Sequence, residues 1–131
     1  MDRSSSHSAT GTVLKPTGIG LMAGIGLLHL VVAPEHFEQA AYVGVLFVLN
    51  FVGAAVAAIG IYKGSPYWGW AFGALVAAAS FIVYFVTRTV GLPSFNPSEL
   101  FEPLGLVALI LEGLFVALYL FVVTGGTSTG R

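Results

Sequence analysis

The polar side chains that interrupt the long apolar segments of this chain are the ones that could do chemistry there: His29, Asn50, Ser80, Tyr84 and Glu112. Glu112 carries the only charge in the interior of those segments. A carboxylate near the centre of a bilayer costs about 2.5 kcal/mol or more, so such a residue usually faces the protein interior and often marks function. Glu112 is therefore the leading candidate for binding a ligand or exchanging a proton. The structural alternative is a protonated carboxyl that is hydrogen-bonded to Asn50.

The other four candidates also have structural alternatives. Asn50 can hydrogen-bond a neighbouring helix, which contributes about 1 kcal/mol, and Ser80 can bond back to its own helix. Tyr84 can anchor at the lipid headgroups, and His29 can bond a backbone carbonyl. A shared site is favoured because these residues continue helix faces made of small residues, which let helices approach closely. Those small residues are Gly26, Gly53, Ala57, Gly73, Ala77, Gly105 and Ala108.

The candidates also agree in depth. At 1.5 Å per residue from the nearer segment end, Asn50 and Glu112 lie about 13 Å deep, Ser80 about 12 Å, and His29 and Tyr84 about 6 Å. All of these ends are on the same side of the membrane if the segments alternate in direction. The sequence therefore predicts one buried polar site in the outer half of a helix bundle, opening toward a rim rich in glutamate.

The elements that position these residues are four apolar segments, at residues 17–33, 41–62, 67–88 and 103–124. Each has about the 20 residues that a helix needs to cross a bilayer, and is about twice too long for a strand of a membrane barrel. Charged residues make up 8% of the chain, against roughly 25% in soluble domains. The sequence predicts an all-α, membrane-spanning four-helix bundle with antiparallel neighbours, as one domain over residues 16–124. The Ser/Thr/Gly-rich tails at 1–15 and 125–131 are expected to be disordered.

The distribution of basic residues predicts the orientation. Both termini and the turn at 62–67 share one side, which carries Arg3, Lys15, Lys63 and Arg131, whereas the opposite side carries Arg88. Because cytoplasmic loops are enriched in Lys and Arg, we expect a multi-pass protein of the cell membrane with cytoplasmic termini. The opposite, outer side collects acidic residues: Glu35, Glu38, Glu99 and Glu102.

The first outer connection contains residue types that bind metals. His29, Glu35, His36 and Glu38 could supply nitrogen and oxygen ligands, with Glu99 or Glu102 completing the shell. No compact spacing such as His-Glu-x-x-His occurs, and Pro34 is expected to break the helix between the two histidines. No metal site is predicted, and haem held by two histidines is not expected, since only one of them lies within a predicted helix. The chain has no cysteine, which excludes disulfides, thiolate metal sites and thiol catalysis.

The second outer connection, residues 90–103, is long for so small a protein and contains three prolines. Connections of this length are functional or mobile, and this one is expected to fold into the mouth of the bundle as a cap. At the opposite end of the bundle, Tyr62, Tyr67, Trp68 and Trp70 are expected to anchor at the headgroups.

Several short motifs carry a resemblance. They are His29-Leu30, Glu35-His36-Phe37, Tyr42-x-Gly44-x-Leu46-Phe47-x-x-Asn50-x-x-Gly53-Ala54, Gly91-Leu92-Pro93 and Glu102-Pro103-Leu104-Gly105 with Glu112. Together they resemble those of small, uncharacterised four-helix membrane proteins of bacteria, notably actinobacteria, over most of residues 20–113. In length and hydropathy alone the chain is also similar to DoxX-like proteins. The resemblance implies a four-helix membrane fold and carries no activity, cofactor or partner.

Three classes of function stay open. The first is a binding or accessory membrane protein whose pocket holds a lipid, quinone, haem or partner helix. The second is a proton- or ion-coupled carrier with Glu112 as the titrating group, which would act as a homo-oligomer because four helices are few for alternating access. The third is a membrane enzyme or redox protein using His29 and Glu112. The absence of catalytic motifs favours the first class and a protein that is not an enzyme. The net charge of −1 gives no reason to expect nucleic acid as a partner.

Overall fold

The computed structural model describes residues 3–64, 68–97 and 102–125, with side chains from residue 13 onward. In these ranges the chain forms four helices: α1 (Arg3–Gln39), α2 (Ala41–Tyr62), α3 (Trp68–Thr89) and α4 (Pro103–Val123). No strand longer than an isolated bridge occurs in the described residues. All four helices contain a stretch long and apolar enough to cross a membrane. The prediction of an all-α protein with four membrane helices is confirmed.

The helices pack in a ring in the order of the chain. α1 packs against α2 and α4, and α3 packs against the same two helices. α2 follows α1 after the single residue Ala40, so these two helices form a tight antiparallel hairpin. One end of the bundle carries the α1–α2 and α3–α4 connections with Glu35, Glu38 and Glu102, and we call it the acidic end. The other carries the start of α1, the end of α4 and the α2–α3 turn, and we call it the terminal end.

The first helix is much longer than the predicted 17–33, whereas the other three agree with their predicted bounds to within one residue. Residues 3–15, expected to be disordered, are helical, because a helix that has already nucleated extends with one new hydrogen bond for each residue fixed. The expectation that Pro34 breaks the helix is wrong. Pro34 removes one backbone N–H, but the helix continues to Gln39, and the His36 Nδ1 donates to the carbonyl of Val32 at 2.9 Å across this turn. Of the other positions predicted to be disordered, Gly125 lies in the turn that follows α4, whereas 1–2 and 126–131 lie outside the described residues.

The tightly packed core lies in the half of the bundle nearer the terminal end. Its fully buried members include Met22, Ile25, Ala57, Ala77 and Phe115. Trp70, expected at the headgroups, instead packs inside this core and stacks on Phe115, with ring centroids 5.6 Å apart. The inward position is possible because the ring lies directly on Gly18, where a Cβ would overlap it. Tyr62 and Trp68 do lie on the surface, as the sequence predicted.

Large apolar side chains cover the outside of the bundle. Many of them are more than half exposed, including Leu27, Val31, Leu49, Ile59, Leu75, Ile82, Ile110 and Leu114. A soluble monomer rarely exposes contiguous apolar surface of this extent. Lipid contact explains it, since bilayer chains are as apolar as these side chains.

The α3–α4 connection folds back over the acidic end. Gly91 and Ser94 have positive φ angles of 85° and 57°, and the chain reverses between Leu92 and Phe95, which form an isolated bridge. Tyr42 of α2 donates its hydroxyl to the carbonyl of Pro93 at 2.6 Å, and Phe95 is 6% exposed. The described part of this segment is therefore the cap that the sequence predicted, and residues 98–101 lie outside the described ranges.

Candidate functional site

A cleft of about 580 Å³ runs from the acidic end into the bundle. All four helices and the α3–α4 connection contribute to it. Its walls are mainly apolar, with Leu28, Val32, Val43, Leu46, Phe47, Val76, Val83, Leu92, Phe95 and Ala108 among them. Its polar lining includes His29, Glu35, His36, Asn50, Ser80, Tyr84, Thr87, Arg88, Glu102 and Glu112. The five residues that the sequence singled out therefore line one cleft, and their function stays a prediction.

The deepest polar residues form one layer across the bundle. Asn50, Ser80 and Glu112 each lie nine residues from the acidic end of their helix, and His29 lies ten residues from the end of α1. At 1.5 Å per residue all four are about 13–15 Å deep. The predicted depth of about 6 Å for His29 is wrong because α1 continues past Pro34 to Gln39.

His29 and Glu112 face each other across the α1–α4 contact. The Nδ1 of His29 lies 2.8 Å from the carbonyl oxygen of Ile25, which can only accept, so Nδ1 carries a proton and donates it. The Nε2 of His29 points to Glu112, with 3.7 Å between Nε2 and Oε2. The two residues are 9% and 1% exposed. Glu112 thus has an imidazole as its neighbour, and not the amide of Asn50 that the structural alternative required.

The hydrogen bond that His29 makes to the backbone determines how the His29–Glu112 pair can be neutralised. With Nδ1 committed to the backbone, the remaining ring nitrogen of a neutral His29 is an acceptor, and it faces a carboxyl group. A bare carboxylate beside a lone pair in a buried site would be an uncompensated charge, which costs several kcal/mol. In addition to the proton on Nδ1, the pair therefore holds one further proton, on the carboxyl of Glu112 or on the Nε2 of His29. Alternatively, another positive group is bound in place of that proton.

Asn50 and Ser80 form the second pair of this layer, between α2 and α3. The Nδ2 of Asn50 donates to the Oγ of Ser80. The Oδ1 of Asn50 is buried and has no hydrogen-bond partner. Since buried polar atoms are nearly always paired, an unpaired acceptor on a residue that lines a cleft needs an explanation, and a donor on a bound molecule would supply one.

His36 repeats the arrangement of His29 two helical turns closer to the acidic end. Its Nδ1 donates to the carbonyl of Val32, four residues back, as the Nδ1 of His29 donates to Ile25. Phe47 of α2 lies between the two rings: it stacks on His36 with centroids 3.9 Å apart and lies 5.1 Å from His29. His36 lies in a helix, contrary to the sequence-based expectation. The two histidines are nevertheless on one helix and share a phenyl ring, so they cannot flank one haem iron.

Tyr84 and Arg88 form the α3 side of the cleft mouth. The guanidinium carbon of Arg88 lies 3.8 Å from the centroid of the Tyr84 ring, and its Nη1 donates to Thr87 Oγ1 at 3.0 Å. The tyrosine ring packs directly on α4 at Gly105, where a Cβ would lie 2.6 Å from its Cε2. Glu102 begins α4 by accepting from the backbone N–H of Gly105 at 2.9 Å. Tyr84 and Arg88 thus belong to the cleft mouth.

The metal ligands considered at the acidic end do not converge. Among the described residues, no three His, Asp or Glu side chains are placed to hold a metal ion. Glu99, which was considered as a further ligand, lies outside these residues. No protein family, curated protein or solved structure matches the chain.

The sequence did not identify several residues of the cleft. Neither Phe47, in an apolar segment, nor Phe95, in the second outer connection, carries a chemical signal in the sequence. As site residues, Glu35 and His36 are indicated by the sequence only as possible metal ligands. A usable signal was the seven-residue spacing of the two histidines, which places them on one face of a continuous helix, and the expected break at Pro34 concealed it.

Proposed function

We propose that this protein is a membrane-embedded binding protein that holds a small amphiphilic molecule in the cleft at its acidic end. One observation carries the proposal: the cleft combines apolar walls with a buried polar layer that contains Glu112, His29 and the unpaired Oδ1 of Asn50. Its volume of about 580 Å³ is within the range of roughly 300–1,000 Å³ of small-molecule sites, which are mostly apolar with a few convergent polar groups. A lipid or a quinone has this combination of an apolar body and a polar head.

The orientation of the protein decides from which side the ligand arrives. We propose that the termini are cytoplasmic and that the cleft opens to the outer side of the cell membrane. The support is the excess of Lys and Arg at the terminal end, with Arg3, Lys15, Lys63 and Arg131 against Arg88 at the acidic end.

The test is to fill the cleft with a larger side chain and to measure whether the molecules that copurify with the protein are lost. Ala108 lines the cleft on α4, one turn before Glu112, so Ala108→Phe places a phenyl ring inside it. Ala117 is exposed and lies nine residues further along the same helix, on the opposite face, so Ala117→Phe is the matched control. Each protein is extracted directly into native lipid discs and analysed by native mass spectrometry.

We expect wild type and Ala117→Phe to retain a bound amphiphile that Ala108→Phe has lost, with all three folded. A molecule that stays bound to Ala108→Phe occupies some other surface, and that result contradicts the proposal. The same spectra report whether the protein is a monomer or a homo-oligomer.

A second candidate function is a proton-coupled carrier, which is favoured by the placement of the His29–Glu112 pair on the cleft. Chains of ionisable residues inside membranes commonly mark proton pathways. This function requires a second copy, since one bundle of four helices offers one cleft. Uptake of the identified ligand into proteoliposomes with an imposed proton gradient would favour the carrier, and binding without uptake would favour the binding protein.

A further inference from the structure

We propose that the ligand of this cleft is an organic cation, an amine carried on an apolar body, whose ammonium group replaces the proton that neutralises the His29–Glu112 pair. The inference rests on the proposed binding function and names the chemical class of its ligand. It depends on the hydrogen-bonding capacity of the polar layer, the charges around the cleft and the aromatic rings in its wall.

The polar layer offers acceptors. His29 has one ring nitrogen committed to the backbone of Ile25, which leaves Nε2 as an acceptor beside the carboxyl of Glu112. Across the layer, Asn50 Oδ1 is an acceptor without a donor. An ammonium group has N–H donors and no acceptor, so it can donate to these acceptor atoms. A ligand with a carboxylate or a carbonyl head has only acceptors and would leave them unpaired.

The charges around the cleft favour the same sign. Besides His29 and Tyr84, the charged and titratable side chains of the lining come from three helices: Glu35 and His36 from α1, Arg88 from α3, and Glu102 with Glu112 at α4. The second helix, α2, brings none. The single guanidinium lies over the ring of Tyr84 at the mouth. Because the empty His29–Glu112 pair is neutral, the carboxylates of Glu35 and Glu102 stand against the guanidinium of Arg88. This excess of negative charge attracts positive ligands, since the low-dielectric walls of a cleft focus its field.

Aromatic rings complete the wall through which the ligand passes. Phe47, Phe95 and Tyr84 line the cleft between the mouth and the polar layer. The face of an aromatic ring attracts an ammonium group, by about 0.5–2 kcal/mol depending on how far the cation is desolvated. The apolar body of the ligand then contacts the aliphatic side chains of the same wall.

The exchange balances in charge and in atoms. The empty pair holds one proton, because an unprotonated pair would bury an uncompensated carboxylate. When the ammonium binds against the carboxylate of Glu112, that proton leaves through the cleft to the solution. No bond of the ligand changes, and the charge in the site is the same before and after. Binding of the amine at neutral pH is therefore accompanied by the release of about one proton.

The test compares 2-phenylethylamine with 2-phenylethanol, which has the same ring and chain length and no charge. Binding to the purified protein in lipid nanodiscs is measured by titration calorimetry at pH 7, in two buffers of different ionisation enthalpy, which yields the number of protons released. We expect the wild type to bind the amine at least about tenfold more tightly than the alcohol and to release about one proton per amine bound. Glu112→Gln should lose both the preference and the proton release, and Glu38→Gln, at an exposed position outside the cleft lining, should keep both.

Equal affinity for amine and alcohol, binding of the amine without proton release, or binding of neither probe would each overturn the inference. The wild-type proton count decides even where Glu112→Gln fails to fold. The proposed function is tested separately, because loss of a copurifying amphiphile in Ala108→Phe does not depend on the charge of the ligand. If wild type binds the alcohol as tightly as the amine and Ala108→Phe binds neither, the proposed binding function is supported. The same result contradicts the inference that the ligand is an organic cation.

Discussion

Gly73 of α3 lies where the core leaves no room for a side chain, and Gly73→Ala tests that packing. A Cβ at this position would lie 2.8 Å from Phe115 Cζ and 2.9 Å from Phe115 Cε1. Carbon atoms in favourable contact are about 3.5–4.0 Å apart, so the ring would have to move by roughly 0.7–1.2 Å. Phe115 is fully buried and stacks on Trp70, which restricts that movement.

The expected magnitude follows from two opposing terms. Overpacking a core by one methyl group costs about 1–3 kcal/mol, and replacing a helical glycine by alanine contributes about 0.8–1 kcal/mol of stability. Gly20 of α1 has no atom within 4 Å of an added Cβ, so Gly20→Ala carries the second term alone. The two variants should therefore differ in the free energy of unfolding by about 1–3 kcal/mol, with Gly73→Ala the less stable.

The free energy of unfolding is measured by titrating each variant with sodium dodecyl sulfate in mixed micelles, followed by the loss of helical circular dichroism. Phe115→Leu shortens the side chain that the new methyl group meets, so the cost of Gly73→Ala should fall in that background. Residues in contact usually show such coupling, of about 0.5–3 kcal/mol. If Gly73→Ala is as stable as Gly20→Ala, or if the two changes at Gly73 and Phe115 are additive, the core packing described above is wrong.

Three further predictions concern the site, the cap and the topology. Asn50→Ala removes the hydrogen bond to α3 and should lower the free energy of unfolding by about 0.6 kcal/mol, and by no more than about 1.7; a larger loss in the same titration would mean that Asn50 has further partners. Tyr42→Phe removes the bond to the carbonyl of Pro93 and should speed hydrogen exchange in the cap while leaving exchange in the helices unchanged; equal protection in both proteins would show that this bond does not hold the cap. Cysteines at Ser65 and Ser94, on opposite ends of the bundle in the predicted topology, should react with an impermeant maleimide from opposite sides of intact cells, and labelling from the same side contradicts that topology.

The existence, number and type of the helices could be predicted because the bilayer sets the length of an apolar segment. The start of α4 was also predictable: Pro103 is favourable at the start of a helix, and Glu102 before it can cap the free N–H groups. The extension of α1 to Gln39 was not, because Pro34 would break a helix in a soluble protein. In membrane helices, neighbouring helices and local adjustments satisfy the carbonyl that a proline leaves free.

The pairing of the polar residues could not be derived from the sequence. The predicted depths placed Asn50, Ser80 and Glu112 in one layer and His29 above it, but the rotation of each helix about its axis decides which side chains meet. Asn50 bonds Ser80 of α3, although the carboxyl of Glu112 was considered as its partner. Glu112 meets His29 because α1 continues past Pro34, which places the histidine in the same layer. The position of Trp70 in the core depended likewise on Gly18, a contact between helices distant in sequence.

The arrangement of core and cleft along the bundle bears on the choice between binding and transport. Phe115 follows Glu112 by three residues on α4, is fully buried and stacks on Trp70. This aromatic pair, with Met22 beside it at Gly73, closes the bundle on the terminal side of the polar layer. A ligand that enters from the acidic end therefore meets the His29–Glu112 pair and then a packed core. Passage through a single copy would require that core to open, whereas binding and release at one end require no rearrangement of it. The packing below Glu112 therefore favours a binding protein over a carrier that acts as a monomer.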